Sequence, residues 1–157
     1  MSRNLAKKIL INSNSHVFII GCTGAGKSTL LHEINIPNSK YFDFVELTKK
    51  SKDKPYLYEG NFPKFESDLI NSTEKNLIID SVEFPSNMEN SKLLSFLRIA
   101  NNNGKRLIIV TSPYSASPIL CMCRLETLNI VSAFIHLERN YLGGNHIYIC
   151  DIEKFRE

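Results

Sequence analysis

The chain has 157 residues, of which 43% are hydrophobic and 22% charged, with a formal net charge of +3. That length suits one domain with a substantial core and leaves no room for a second, because chains of this size bury roughly two-thirds of the surface they expose unfolded. The faint basic excess admits nucleic acid as a partner without requiring it, and no apolar run approaches the length that crosses a bilayer.

Residues 5–11 read as a short amphipathic helix packed on the body, and 12–15 as a turn. The start of the chain lacks the apolar core of a targeting segment, so a cytoplasmic protein without membrane insertion is expected. An apolar run over 17–20 then predicts a strand. Directly after it, Gly21-Cys22-Thr23-Gly24-Ala25-Gly26-Lys27-Ser28 spells G-x-x-x-x-G-K-S, followed by Thr29 and a helix predicted over 27–34. This is a phosphate-binding P-loop (Walker A) in its proper setting. Its glycines let the backbone turn tightly enough for successive N–H groups to face the α- and β-phosphates of ATP. Lys27 is placed to reach the β- and γ-phosphates, Ser28 to ligate Mg²⁺, and the helix N-terminus adds a favourable dipole.

Further strands are predicted over 41–47, 77–79, 107–110, 134–137 and 147–149, with helices over 65–71, 89–102 and 118–129 between them. Most strand runs are apolar on successive positions, the pattern of a parallel sheet covered on both faces. The alternation predicts a three-layer α/β fold with a mostly parallel sheet, in one domain spanning 1–157. Leu93, Leu94, Leu97 and Ala100 fall at helical spacing as a core-packing face, and Gly104 supplies a stop. Residues 48–63, with Lys49, Lys50, Lys52 and Lys54, read as a solvated surface excursion. Near the end, the segment 140–145 separates the last two strands, which predicts an antiparallel hairpin. Cys22, Cys121, Cys123 and Cys150 are scattered without a C-x-x-C pair, so they are expected to be reduced and mostly buried.

The strand 77–79 runs into Asp80, the form of a Walker B element, whose carboxylate would contact Mg²⁺ through water close to Ser28. A group that orients the attacking water is also needed, and Glu46 and Glu83 compete for that role. If the strand 107–110 lies between the P-loop strand and the Asp80 strand, the hydroxyls of Thr111 and Ser112 are candidates to face the γ-phosphate.

The order of these elements, from about Ser15 to Arg156, resembles the RecA-like P-loop ATPase core shared by DnaB-type helicases, RadA and KaiC relatives. Four pieces carry it: Gly21–Ser28, the strand with Glu46 near its end, Leu77-Ile78-Ile79-Asp80-Ser81, and the tail from Phe134 to Arg156. The resemblance implies Mg²⁺-dependent ATP hydrolysis and favours Glu46 over Glu83 as the water-polarising residue. It also implies that Lys154 and Arg156, a K-x-R pair in the closing hairpin, act in trans on ATP bound by a neighbouring copy, hence a homo-oligomer. The family's glutamine after the fourth strand is absent, since Val110-Thr111-Ser112-Pro113 stands there, and no DNA-binding loop signature is visible. DNA or a protein partner both remain open as what the ATPase acts on. The alternatives are a small nucleotide or metabolite kinase, which would want an arginine-rich lid where only Arg124 and Arg139 stand, and a non-hydrolysing ATP-binding interaction module.

Overall fold

The computed structural model describes residues 2–14, 16–22, 24–43, 62–82, 90–111 and 131–154. In chain order its elements are α1 (Ser2–Asn12), β1 (His16–Gly21), α2 (Lys27–His32), β2 (Ser39–Asp43), α3 (Phe62–Asn71), β3 (Asn76–Val82), α4 (Asn90–Asn102), β4 (Arg106–Thr111), β5 (Val131–Leu142) and β6 (Asn145–Lys154). The six strands form one sheet in the order β2-β3-β4-β1-β5-β6. All neighbours are parallel except the final β5-β6 pair, which is antiparallel. The expected α/β sheet with its C-terminal hairpin is therefore present, and β4 does lie between β1 and β3.

Strand alternation divides the core into two faces. Ile78, Ile108, Val110, Val17, Ile19, Ala133, Ile135 and Leu137 share one face with Ala6, Ile9 and Leu10 of α1 and Leu30 and Leu31 of α2. The alternate positions Leu77, Ile79, Leu107, Ile109, Phe18 and Phe134 are equally buried, as are Leu69 of α3 and Phe96, Leu97 and Ala100 of α4. α3 and α4 pack on each other and α4 on β4. Both faces of the central strands are thus covered, which is why β1 and β4 are buried along their whole length and apolar on successive positions over 17–20 and 107–110 instead of alternating. Phe18 and Phe134 meet edge to face at 5.5 Å between ring centroids, a contact worth about 0.5–1.5 kcal/mol beyond the area it buries.

Two buried polar residues tie the layers together. Arg106, on the face toward α1, donates from Nη1 to the Leu10 carbonyl at 2.6 Å and from Nη2 to the Ile9 carbonyl at 2.7 Å. These are carbonyls of the last turn of α1, so the cation caps that helix and complements its dipole. Burial lowers the Arg106 pKa to about 10, which leaves it charged at neutral pH. On the opposite face His16 accepts a hydrogen bond at Nδ1 from the Leu107 N–H at 2.9 Å. Burial, reinforced by the charge of Arg106, lowers its pKa to about 4, so the ring is neutral. The Leu97 carbonyl pulls weakly the other way without reaching hydrogen-bond geometry at Nε2.

Several boundaries differ from the sequence reading. α3 begins at Phe62, so the end of the expected excursion is helical; the rest of that excursion, 48–61, lies outside the described residues. β2 opens at Ser39, and residues 44–47 of the expected strand lie outside the described residues, as does the helix expected over 118–129. The hairpin is tighter and longer than 140–145 suggested: β5 continues to Leu142, β6 starts at Asn145, and Gly143-Gly144 alone makes the turn with φ of 59° and 84°. Positive φ at both central residues is what a type I′ hairpin turn demands. No described helix is long and apolar enough to cross a membrane.

Candidate functional site

β1 delivers the chain to Gly21 at the carboxyl edge of the sheet, and five residues separate it from the start of α2 at Lys27. The Ala25 N–H closes on the Cys22 carbonyl at 3.0 Å, and the Leu30 N–H on the Gly26 carbonyl at 2.9 Å starts the helix. Gly24 and Gly26 have φ of 81° and 95°. Ala25 between them is not among the positive-φ residues, and alternating left- and right-handed backbone of this kind is what lets successive N–H groups form an anion-binding nest. Gly21 is needed for a different reason: a Cβ there would stand 2.7 Å from the Leu137 carbonyl oxygen of β5. The Lys27 ammonium donates to the Gly21 carbonyl, folding the side chain back along the loop. Ser28 and Thr29 are exposed on the first turn of α2. Cys22 is exposed as well, against the expectation that the cysteines are mostly buried, because the loop leaves the sheet at that residue. Thr23 lies outside the described residues.

Asp80 is buried near the carboxyl end of β3, and its carboxylate accepts a hydrogen bond from the Tyr41 hydroxyl of β2. Tyr41 pairs with Ile78 in the register, so the contact is a diagonal one across neighbouring strands. Alternation sets Asp80 on the face of Ile78, the face on which α2 packs. Thr111 is buried at the end of β4, but on the opposite face with Leu107 and Ile109, so its side chain does not share the side that carries α2. Glu46, Glu83, Ser112 and Arg156 lie outside the described residues. Lys154 closes β6, where its backbone pairs with Ala133, and Ala133 pairs with Val17 at the start of β1. Gly21 pairs with Leu137, so Lys154 stands at the far end of its own sheet, roughly four strand residues or about 13 Å along the strand from the loop. The register thus sets the Lys154 backbone away from the phosphate loop of the same chain.

The residues nearest the loop were not all singled out by sequence. The guanidinium of Arg139 on β5 lies against Gly24, and directly across the hairpin Arg139 pairs with Tyr148. Beside them a cavity of about 520 Å³ is walled by Gly24 and Thr29 on the loop side, Leu137, Tyr148 and Cys150 on the hairpin side, and Arg3 of α1. Burial raises the Cys150 thiol pKa, keeping it protonated and unreactive. The outer wall is braced by Glu33, just past α2, which meets Arg3 at 3.0 Å and Lys7 at 2.9 Å. These two cations lower the Glu33 pKa to about 2. The signal that would have found Arg139 is period-two alternation from Leu137, visible only once β5 is known to run past that residue.

Among the described residues no cluster of three or more His, Cys, Asp and Glu side chains is placed to hold a metal by itself. The residues present instead fit a nucleotide-borne metal: a glycine-built phosphate cradle, the Ser28 hydroxyl and the Asp80 carboxylate are the hard oxygen donors that Mg²⁺ takes alongside phosphates and water.

No family model and no curated protein matches this chain. Among solved structures, the crystal structure of flagellar accessory protein FlaH from Methanocaldococcus jannaschii superposes with a TM-score of 0.59 at 17% identity, covering 99% of this chain and 86% of that one. A likeness at that identity speaks to architecture, and together with the strand order and the hairpin it gives this chain a RecA-like P-loop fold.

Proposed function

We propose that this chain binds ATP with Mg²⁺ at Gly21–Ser28 and hydrolyses it to ADP and phosphate. The observation that carries the reading is the cradle itself: left-handed Gly24 and Gly26 around Ala25, with Lys27 laid along it, at the carboxyl edge of the parallel strands. Ligands of open α/β sheets bind at that edge, where strand order reverses, and here the chain crosses from one side of β1 to the other. In this reading the loop N–H groups and Lys27 hold the phosphates, while Ser28 and Asp80 hold the metal. Tyr41 fixes the orientation of the Asp80 carboxylate through its hydroxyl. When bound, the metal would supply neutralisation of phosphate negative charge. Glu46 is assigned to orient the attacking water. Lys154 and Arg156 are assigned to act on ATP bound by a neighbouring copy, a reading that the distance of the Lys154 backbone from its own loop supports for Lys154. What the hydrolysis drives, on DNA or on a protein partner, is a matter for the same assay with each added.

The test is phosphate release with and without Mg²⁺. Lys27→Ala is expected to abolish the Mg²⁺-dependent release; turnover equal to that of the unmodified protein would remove Gly21–Ser28 as the site. Tight ATP binding with no release under any condition would leave a binding module in place of an enzyme.

A further inference from the structure

The reading above gives the phosphates one cation from the same chain, Lys27, and the fold brings up a second. β5 runs parallel to β1 and pairs Leu137 with Gly21, so Arg139 stands two residues beyond the point where β1 ends and the loop begins. Alternation from Ile135 and Leu137 puts it on the face where α2 packs. A Cβ built on Gly24 would meet Arg139 Nη1 at 2.9 Å, Cζ at 3.1 Å and Nη2 at 3.3 Å. Three atoms of the planar group so close to one backbone point mean that the guanidinium lies against the loop. The side chain is exposed and makes no ion pair among the described residues. Arg3 and Lys7, the other cations near this wall, are engaged by Glu33. An arginine with no carboxylate partner among the described residues, carried on a strand fixed by β1 on one side and β6 on the other, and laid on a glycine-built loop, has the makings of phosphate recognition.

We infer that Arg139 is a same-chain phosphate ligand, whose guanidinium engages phosphate oxygens of the nucleotide held by the Gly21–Ser28 loop. It rests on the nucleotide-binding reading, but it is separate from any role of Lys154 or Arg156, because it needs no second copy. Tyr148, paired directly with Arg139, lines the cavity that opens beside Gly24 and Thr29, so the same hairpin face meets the rest of the bound nucleotide.

The experiment is an equilibrium titration with a fluorescent ATP analogue and Mg²⁺, competed with ATP and with ADP, at two salt concentrations and at protein dilutions where the chain is monomeric. Arg139→Ala is expected to raise Kd about tenfold or more while far-UV circular dichroism and thermal unfolding stay as in the unmodified protein. Its Kd should also depend less steeply on salt, because one charge contact is gone. Arg139→Lys should recover only part of the affinity, since an ammonium restores the charge without the two-pronged donor geometry. Should Arg139→Ala fail to fold, Arg139→Gln is read by the same criteria. An unchanged Kd in a folded variant overturns the inference. So does a tighter one, which would make Arg139 a shield over the loop. Loss of binding in Lys27→Ala with full binding in Arg139→Ala refutes the role of Arg139 alone. Absence of binding by the unmodified protein, or binding that Lys27→Ala leaves intact, refutes the loop reading and this inference with it.

Discussion

Gly21 and Gly26 sit five positions apart in one loop and should fail for different physical reasons when substituted. At Gly21 the obstacle is space: an added Cβ would lie 2.7 Å from the Leu137 carbonyl oxygen and 3.1 Å from Ala25 Cβ. The first distance is shorter than real Cβ atoms show, and its partner is backbone, on a strand held by β1 and β6 together. Gly21→Ala must therefore push β5 away from β1, an overpacking that typically costs about 1–3 kcal/mol. For a chain of this length about 2 kcal/mol lowers the unfolding temperature by roughly 4–8 °C. The shift would also displace the Gly21 carbonyl that receives Lys27, and Arg139 two residues beyond Leu137, so nucleotide affinity should fall with stability. At Gly26 nothing lies within 4 Å of the added carbon, but φ is +95°. Gly26→Ala then carries backbone strain of roughly 1–2 kcal/mol, part of which Gly26→Asn relieves because asparagine tolerates the left-handed region. Thermal unfolding followed by circular dichroism, with nucleotide titration alongside, separates the two cases. Gly21→Ala with unchanged stability and affinity would refute the steric account, and so would Gly21→Asn proving milder than Gly21→Ala.

His16 gives a defined acid sensitivity. Its folded pKa of about 4 lies below the ordinary histidine value of 6.5, so between those values the unfolded chain binds a proton that the folded chain does not. Stability is complete above about pH 6.5 and declines as pH falls toward 4, by up to roughly 3 kcal/mol at 1.36 kcal/mol per unit. Chemical denaturation at a series of pH values measures this, and His16→Phe or His16→Gln should flatten that part of the profile; an unaltered slope refutes the assignment. Arg106→Met removes the guanidinium donors from the Leu10 and Ile9 carbonyls, leaving Ile9 with the Ser13 N–H alone, so α1 amides should exchange faster and global stability fall by about 1–3 kcal/mol. The same change removes a charge that holds down the folded His16 pKa, so the lower edge of the acid-sensitive window should rise and the window narrow, its upper edge being set by the unfolded chain; unchanged α1 protection refutes the cap. The Glu33 carboxyl should titrate near 2 by NMR, so its contribution is present above the ordinary glutamate value of 4.5 and is lost as pH falls through 2. Arg3→Ala should move that titration toward the ordinary carboxylate range, and no movement would refute the brace.

The pieces legible in the sequence are those whose signal is local. A strand that is apolar along its length, a glycine-spelled turn and a lysine at a fixed offset lie within a dozen residues, and β1, the loop and α2 follow from them. The antiparallel hairpin was legible in kind but not in extent. Polar Asn140 and Tyr141 look like loop, whereas in place they pair with Ile147 and His146 on a ribbon that projects beyond the core. Residues whose meaning depends on register were not legible at all. Arg106 looks like a charged residue opening a strand; it is buried only because α1 ends over β4. His16 and Arg106 occupy opposite faces of adjacent strands, which no spacing along the chain reveals. Arg139 is the sharpest case, since its proximity to Gly24 arises from two pairings that sequence leaves free, β5 beside β1 and Leu137 level with Gly21. A slip of one residue in that register would turn Arg139 to the other face and leave Gly24 with no guanidinium beside it. Gly21 closes against Leu137 tightly enough to resist such a slip, so the glycine that opens the loop also fixes which side chain of β5 overlooks it.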